Sequence, residues 1–104
     1  MATWIRISEF CDPAPGTGRA FDVEGLSIAI FNIDGTLHAI DNNCPHEGAS
    51  LANGRLEGCI VTCAVHGMKV NVVPQTEGMG MNVRTFPVER RLDGVYVDTQ
   101  APAP

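Results

Sequence analysis

"CPHEGASL" (residues 44–51) and "CAVHGMKV" (residues 63–70) each place a cysteine close to a histidine. Together the two stretches give the spacing C-x-H-x16-C-x2-H, formed by Cys44, His46, Cys63 and His66. A proline or a glycine stands in each stretch, so both read as tight turns between strands. Two such turns placed face to face would bring two thiolates and two imidazoles to one metal region.

Two kinds of metal site fit this set of residues. Zinc binds two cysteines and two histidines, but usually from C-x2–4-C paired with H-x3–5-H, and C-x-H is shorter. A [2Fe–2S] cluster in which two histidines replace two cysteines on one iron is the alternative. Mixed loops favour the cluster, because each loop can give its cysteine to one iron and its histidine to the other. Coincidence without a shared metal is the third interpretation.

A cluster held by four cysteines does not fit the spacing. Plant-type sites use C-x4-C-x2-C with a distant fourth cysteine. Here Cys11, Cys44, Cys59 and Cys63 are separated by 32, 14 and 3 residues. We expect Cys11 and Cys59 to be small buried side chains without a metal.

Short strands separated by turn residues predict an all-β domain. Eleven glycines and seven prolines interrupt the chain at short intervals. "LSIAIFNI" (residues 26–33) is apolar on both faces and predicts a central strand. The following Asp34-Gly35 predicts a type I′ hairpin turn, which needs positive φ at both central residues. "TLHAID" (residues 36–41) is then the return strand, which leads into the first loop.

The second half continues the same pattern. "CIVTC" (residues 59–63) and "MKVNV" (residues 68–72) flank the second loop as strands, and "RTFPVERR" (residues 84–91) and "VYVD" (residues 95–98) predict a last hairpin with its turn at Asp93-Gly94. Pro87 places its strand at a sheet edge. We expect one domain over residues 1–104, with a loose tail at about 99–104.

Charge and hydropathy exclude several classes of protein. The net charge of −5 disfavours binding to nucleic acid. Residues 1–52 hold seven acids and two bases, which predicts either a solvated surface or an acidic docking face for a basic partner. No apolar run approaches the ~20 residues that span a bilayer, so no membrane segment is expected. The N-terminus lacks the features of a secretory signal, and we expect a cytoplasmic monomer.

The paired loops resemble the motif of a known family. "CPHEGASL" followed by "CAVHG" is similar to the Rieske motif, and the flanking "FNIDGTLHAIDNNCPHEGASLANGRLEGCIVTC" resembles the small Rieske ferredoxins of bacterial ring-hydroxylating dioxygenase systems. The resemblance implies an antiparallel β-sandwich with a small cluster-binding subdomain at about residues 42–72. It implies one [2Fe–2S] cluster, with Cys44 and Cys63 on the inner iron and His46 and His66 on the outer, exposed iron.

The resemblance also implies a function. Such a protein is a one-electron carrier from a flavin-containing reductase to a terminal, aromatic-ring-hydroxylating oxygenase, and it is not catalytic alone. The alternative is a fixed electron-relay subunit, such as the Rieske-type small subunit of an assimilatory nitrite reductase. A zinc-stabilised interaction module without redox chemistry is a third hypothesis.

Several positions depart from the patterns of the family. High-potential relatives place hydroxyl residues where this chain has Met68 and Val70, and bridging cysteines where it has Ala49 and Val65. We therefore expect a midpoint potential of about −150 to 0 mV, at the low end of the Rieske range. Residues 79–81, Met-Gly-Met, fall where relatives cover the cluster, and predict an apolar lid, a partner contact or a simple gap filler.

Three further residues have expected places. His38 lies in the strand before the first loop, and we expect it at the surface or at a sheet edge. Leu51 and Leu56 are expected to pack beneath the two loops.

Overall fold

Short β-strands form most of the regular structure in the computed structural model, which describes residues 4–7, 12–44, 50–63, 67–73 and 80–99. The predicted all-β class is confirmed. Within these ranges a single 3-10 turn, Leu51–Asn53, accompanies eleven strands. The strands are β1 (Trp4–Arg6), β2 (Gly18–Val23), β3 (Leu26–Ile33), β4 (Thr36–Asp41), β5 (Arg55–Glu57), β6 (Ile60–Thr62), β7 (Lys69–Asn71), β8 (Met81–Asn82), β9 (Thr85–Phe86), β10 (Val88–Arg91) and β11 (Gly94–Asp98).

The described strands form three sheets. One sheet has the order β1-β11-β10, a second has β2-β3-β4-β9, and a third has β5-β6-β7-β8. The pairings are antiparallel except for β7 with β8, which is parallel. The third sheet is built from the residues that flank the two cysteine–histidine loops, so it carries the candidate site.

Strand β3 lies at the centre because it is apolar on both faces. Ile28 and Ile30 point into one buried cluster, and Ala29 and Phe31 point into another. Burying an Ile or Phe side chain fully contributes about 1.5–3 kcal/mol relative to leaving it exposed. The β2-β3-β4-β9 sheet therefore has a packed layer on each side, as the run "LSIAIFNI" predicts.

The two buried clusters have separate members. The first core consists of Ile7, Val23, Ile28, Ile30, Leu37, Ala39, Phe86, Val95 and Val97. The second core consists of Ala29, Phe31, Ile40, Cys44, Leu51, Val61, Cys63, Val70 and Val72. Of these two cores, only the second contains cysteines. It lies between the β2-β3-β4-β9 sheet and the β5-β6-β7-β8 sheet.

The hairpin predicted at Asp34-Gly35 is confirmed. Asp34 has φ +53° and Gly35 has φ +88°, and Ile33 pairs with Thr36 across the turn. The turn between β2 and β3 has the same form, with positive φ at Glu24 and Gly25. Such turns match the right-handed twist of the flanking strands.

The C-terminal hairpin differs in detail from the prediction. "RTFPVERR" is two strands rather than one, since β9 pairs with β4 while β10 pairs with β11. Pro87 marks the crossing between sheets, because proline has no N–H to continue a ladder. Both strands lie at the edges of their sheets, as expected for a strand with proline. The turn is Leu92–Asp93, since Arg91 pairs with Gly94.

The C-terminal segment is described only as far as Thr99. Thr99 is buried, and its carbonyl oxygen accepts a hydrogen bond of 2.7 Å from Nη2 of Arg84. The remainder of the segment predicted to be loose, residues 100–104, lies outside the described residues. No helix in the described part of the chain has the length and apolar character needed to span a bilayer.

Candidate metal-cluster site

The structure brings the two predicted cysteine ligands into one apolar environment. Cys44 and Cys63 are each 2% exposed, and both belong to the second core. His46 and His66 lie outside the described residues. Within the described ranges, no three His, Cys, Asp or Glu side chains are grouped to hold a metal ion.

Asn42 directly follows strand β4 of the β2-β3-β4-β9 sheet and leads into the first loop. The backbone N–H of Asn42 donates to the carbonyl oxygen of Ser27 (3.0 Å), and its side-chain Nδ2 donates to Oγ of Ser27 (3.0 Å). Oδ1 of Asn42 accepts bonds from Oγ of Ser50 (3.1 Å) and from the N–H of Ala52 (2.9 Å). The N–H of Leu51 donates to the carbonyl oxygen of Asn42 (2.8 Å). Asn42 thus joins strand β3 to the returning end of the loop.

The mouth of this loop is closed next to Cys44. Asn43 forms an isolated antiparallel bridge with Ser50, so the chain leaves and returns at one point. The N–H and Nδ2 of Asn43 both donate to Oδ1 of Asp41, at 2.9 and 3.1 Å. Residues 45–49, which include His46, lie between these fixed ends and outside the described residues.

The second loop is closed by its own backbone. The N–H of Cys63 donates to the carbonyl oxygen of Met68 (2.8 Å), and the N–H of Gly67 donates to the carbonyl oxygen of Cys63 (3.0 Å). Gly67 has φ +70°, a left-handed conformation that glycine adopts at little cost. Residues 64–66, which include His66, lie between these bonds and outside the described residues.

Apolar side chains surround Cys44 and Cys63, and that Leu51 and Leu56 pack beneath the loops stays a prediction. Leu51 is fully buried in the second core, and Leu56 packs against it. Met68 also packs against this core, and Val70 is buried within it. The hydrophobic shell around a metal centre limits the access of water and sets the local dielectric.

Gly54 brings the return limb of the first loop against the strand that enters the second loop. A Cβ at this position would overlap the carbonyl oxygen of Thr62 and would lie 2.8 Å from Cγ2 of Val61. Since its φ of −78° is ordinary, the need for glycine here is steric. No motif in the sequence indicated this contact.

The described donors fit an iron–sulfur cluster of the predicted kind. Cysteine thiolates are the soft ligands that such clusters require. Among the described residues, Cys44, Cys59 and Cys63 form no disulfide. Cys44 and Cys63 would supply the two thiolates of the C-x-H…C-x2-H set, each at the start of its loop. Cys59 is only half-buried, less than expected, and Cys11 lies outside the described residues.

Two further predictions concern His38 and the Met-Gly-Met segment, residues 79–81. His38 is half-buried in β4, between β3 and β9, so it is not in an edge strand. Burial lowers the pKa of His38 from its ordinary value, which favours the neutral imidazole. Met81 is 47% exposed, while Met79 lies outside the described residues. Whether the Met-Gly-Met segment covers a cluster stays a prediction.

The acidic half of the chain is partly neutralised. Both carboxylate oxygens of Asp12 accept bonds from Nη1 of Arg90, at 2.8 and 3.0 Å. Asp22, Glu24 and Asp34 are exposed. Their contribution to an acidic docking face stays a prediction.

Asn42 is the residue of this region that sequence reasoning missed. A buried asparagine two positions before Cys44 carries no motif signal of its own. Its contacts with Ser27 and Ser50 depend on chain segments 15 and 8 residues away. The one available clue was a polar residue directly after the predicted strand "TLHAID" and before the loop.

Comparisons with known proteins agree with this arrangement. The family model described as "Rieske [2Fe-2S] domain" matches residues 3–89. The ferredoxin component of the naphthalene 1,2-dioxygenase system of Pseudomonas putida is 30% identical over 102 residues, covering 91% of this chain and 94% of that protein. A chain in the solved complex of reduced oxygenase and oxidized ferredoxin of carbazole 1,9a-dioxygenase matches with a TM-score of 0.79 and 28% identity, over 97% of each chain. The Sphingomonas yanoikuyae B1 ferredoxin matches with a TM-score of 0.77 and 25% identity, over 93% of this chain and 99% of that one.

Proposed function

Because this chain belongs to the Rieske [2Fe–2S] family, we propose that Cys44, His46, Cys63 and His66 are the ligands of its cluster. The observation that carries this proposal is the burial of Cys44 and Cys63 in one apolar core, each at the start of a loop with a motif histidine. In this assignment the cysteines hold the inner iron, and the histidines hold the outer one.

The protein is a Rieske ferredoxin that carries electrons on one [2Fe–2S] cluster and is not catalytic alone. The prediction of a cluster rather than zinc is confirmed by the family. The cluster supplies a one-electron redox couple, with potentials of about −150 to +300 mV when two histidines replace two cysteines. The chain supplies the apolar shell, including Leu51 and Val70, that keeps water from the cysteine side.

Our proposal for the partners is a flavin-containing reductase as donor and a terminal, aromatic-ring-hydroxylating oxygenase as acceptor. The names of the relatives, which are ferredoxin components of dioxygenase systems, support it. Carrier encounters usually bury less than roughly 1,200 Å², which allows rapid release. A cytoplasmic monomer, with neither nucleic acid nor membrane as partner, completes the proposal.

The proposed organisation is one domain over residues 1–104. Its cluster-binding subdomain spans about residues 42–72, where strands β5, β6 and β7 and the second core support the two loops. A freely exchanging carrier is favoured over a fixed subunit of a nitrite reductase, because the ferredoxin component of a naphthalene dioxygenase system is 30% identical over 91% of the chain. The small subunit of a putative nitrite reductase matches the same share of the chain at only 17% identity.

Spectroscopy with metal analysis tests the ligand assignment. The purified protein should contain about two irons and two acid-labile sulfides per chain, and when reduced it should give the EPR signal of a histidine-ligated cluster. A colourless protein with one zinc and no sulfide would contradict the assignment.

Reconstitution tests the place in the electron-transfer chain. The purified protein should elute as a single small component in gel filtration, accept electrons from a dioxygenase-system ferredoxin reductase, and support turnover of the cognate oxygenase. Constant co-purification with a large reductase, together with failure to exchange electrons when separated from it, would favour the fixed subunit.

A further inference from the structure

Among the described residues, the side chain of Asn42 links strand β3 to the returning limb of the first loop. We propose that Asn42 is a positioning residue for the cluster, which holds the first loop, and with it Cys44, in place on the sandwich. This inference rests on the proposed role of Cys44 as a ligand. The sequence motif does not include Asn42, which stands two positions before Cys44.

Both ends of the Asn42 amide are used. Nδ2 donates to Oγ of Ser27, while Oδ1 accepts from Oγ of Ser50 and from the N–H of Ala52. A primary amide can do this because it offers two donors on one side and two acceptor lone pairs on the other. Asn42 is 6% exposed, so water does not readily replace these bonds.

The bonds reach the second core directly. Leu51 lies between the two residues that Oδ1 of Asn42 holds, and its own N–H donates to the carbonyl oxygen of Asn42. The Leu51 side chain is fully buried in the same core as Cys44. Release of the returning limb would therefore open the apolar cover next to the cysteine and admit water and chelators to the cluster.

Asn32 provides a matched control within the same strand system. It is also 6% exposed, its Nδ2 donates to the carbonyl oxygen of Pro13 (2.9 Å), and its Oδ1 accepts from the N–H of Gly35 (2.8 Å). Ser27 and Asn32 are five residues apart along β3, about 17 Å at ~3.3 Å per residue. Asn32→Ala removes two side-chain bonds, against three for Asn42→Ala, at the other end of β3.

The experiment compares three holoproteins with the wild type: Asn42→Ala, Asn42→Asp and Asn32→Ala. Loss of the visible absorbance in excess EDTA gives the rate of cluster release, and thermal unfolding gives the stability of each variant. We expect Asn42→Ala to release the cluster at least about tenfold faster, and to shift or broaden the EPR signal of the reduced cluster. Asn32→Ala should lower the melting temperature and leave the release rate within about twofold of wild type, with an unchanged EPR signal.

Asn42→Asp is the conservative variant. Its carboxylate keeps both acceptor bonds, and the Ser27 hydroxyl can turn to donate to the second oxygen. Its rate of cluster release should therefore lie close to the slow wild-type rate and well below that of Asn42→Ala. Should Asn42→Ala fail to fold, Ser27→Ala, which removes only one of the bonds, serves in its place with a smaller acceleration.

Equal release rates for Asn42→Ala and Asn32→Ala at equal stability would overturn the proposal. So would an Asn42→Asp protein that loses its cluster as fast as Asn42→Ala. If the wild-type protein held zinc instead, the proposed function would fail, but the order of zinc release among the same variants would still decide the role of Asn42.

Discussion

The two cysteine–histidine loops are held in different ways. The first is held to the body of the molecule by the buried side chain of Asn42, which bonds to β3 and to the returning limb. The second is closed by two backbone bonds between Cys63 and the segment Gly67–Met68. The position of the first loop therefore depends on tertiary contacts, and the closure of the second depends on local backbone conformation.

Loop length explains part of this difference. The second loop turns back within a few residues, and Gly67 near its end takes a left-handed conformation that glycine adopts at little cost. The first loop spans residues 44–49 between the bridged residues Asn43 and Ser50. A longer segment costs more entropy to fix, and additional anchoring bonds offset that cost.

Loss of either cysteine should have the largest effect on cluster content. The effect should be the same for both loops. Cys44→Ser and Cys63→Ser each delete a soft thiolate, so both proteins should lack the cluster, as shown by absorption and by iron and sulfide analysis. Cys59→Ser is the matched control and should keep a full cluster. A fully loaded Cys44→Ser or Cys63→Ser protein would contradict the ligand assignment.

Gly54→Ala should disturb the close contact between Gly54 and strand β6. The added methyl group would meet the carbonyl oxygen of Thr62 and the side chain of Val61, and overpacking of this kind costs about 1–3 kcal/mol. The expected result is a melting temperature lower by several degrees in the holoprotein.

Gly58→Asn is the control for Gly54→Ala. Gly58 has φ +61° and open space around its Cα, and asparagine tolerates this conformation. Its melting temperature should fall by less than that of Gly54→Ala. The reverse order would show that backbone conformation, rather than the close contact of Gly54 with β6, limits the stability of this region.

Gly67→Ala tests the backbone closure of the second loop. A Cβ at Gly67 would meet nothing within 4 Å in the described part of the chain, so the expected cost comes from its φ of +70° and should be about 1–2 kcal/mol. Gly67→Asn should cost less, since asparagine enters the left-handed region more readily. Chelator-induced cluster release measures both variants, and equal rates would show that the conformation of Gly67 does not limit the second loop.

Met68→Ser should have the smallest effect on the fold and a specific effect on redox chemistry. The Met68 side chain packs against the core that contains Cys63. The hydrogen bond from the N–H of Cys63 goes to the backbone carbonyl of Met68, so the substitution leaves it in place. A hydroxyl that reaches a sulfur stabilises the reduced cluster, so the potential should rise from its expected low value of about −150 to 0 mV. Voltammetry measures it. An unchanged potential in the variant, or a wild-type value above about +150 mV, would refute our interpretation of Met68.

Local signals predicted much of the fold. Asp34-Gly35 gave the central hairpin because positive φ at both turn residues is a property of two neighbouring positions. "LSIAIFNI" gave the two-faced central strand, because apolar residues at both parities require cover on both sides. Pro87 predicted that its strand lies at a sheet edge, but not that the chain changes sheet between β9 and β10. A missing N–H does not specify which strands pair on either side of the proline.

The sequence by itself determined the family and predicted the ligand types and their spacing, because C-x-H…C-x2-H is a chemical pattern of near neighbours. Only the tertiary structure revealed that Asn42 links β3 to the returning limb of the first loop, that Gly54 packs closely against β6, and that β8 runs parallel to β7. These features join segments that are distant along the chain. Their energies arise from burial and close contact after folding, and no single stretch of residues encodes them.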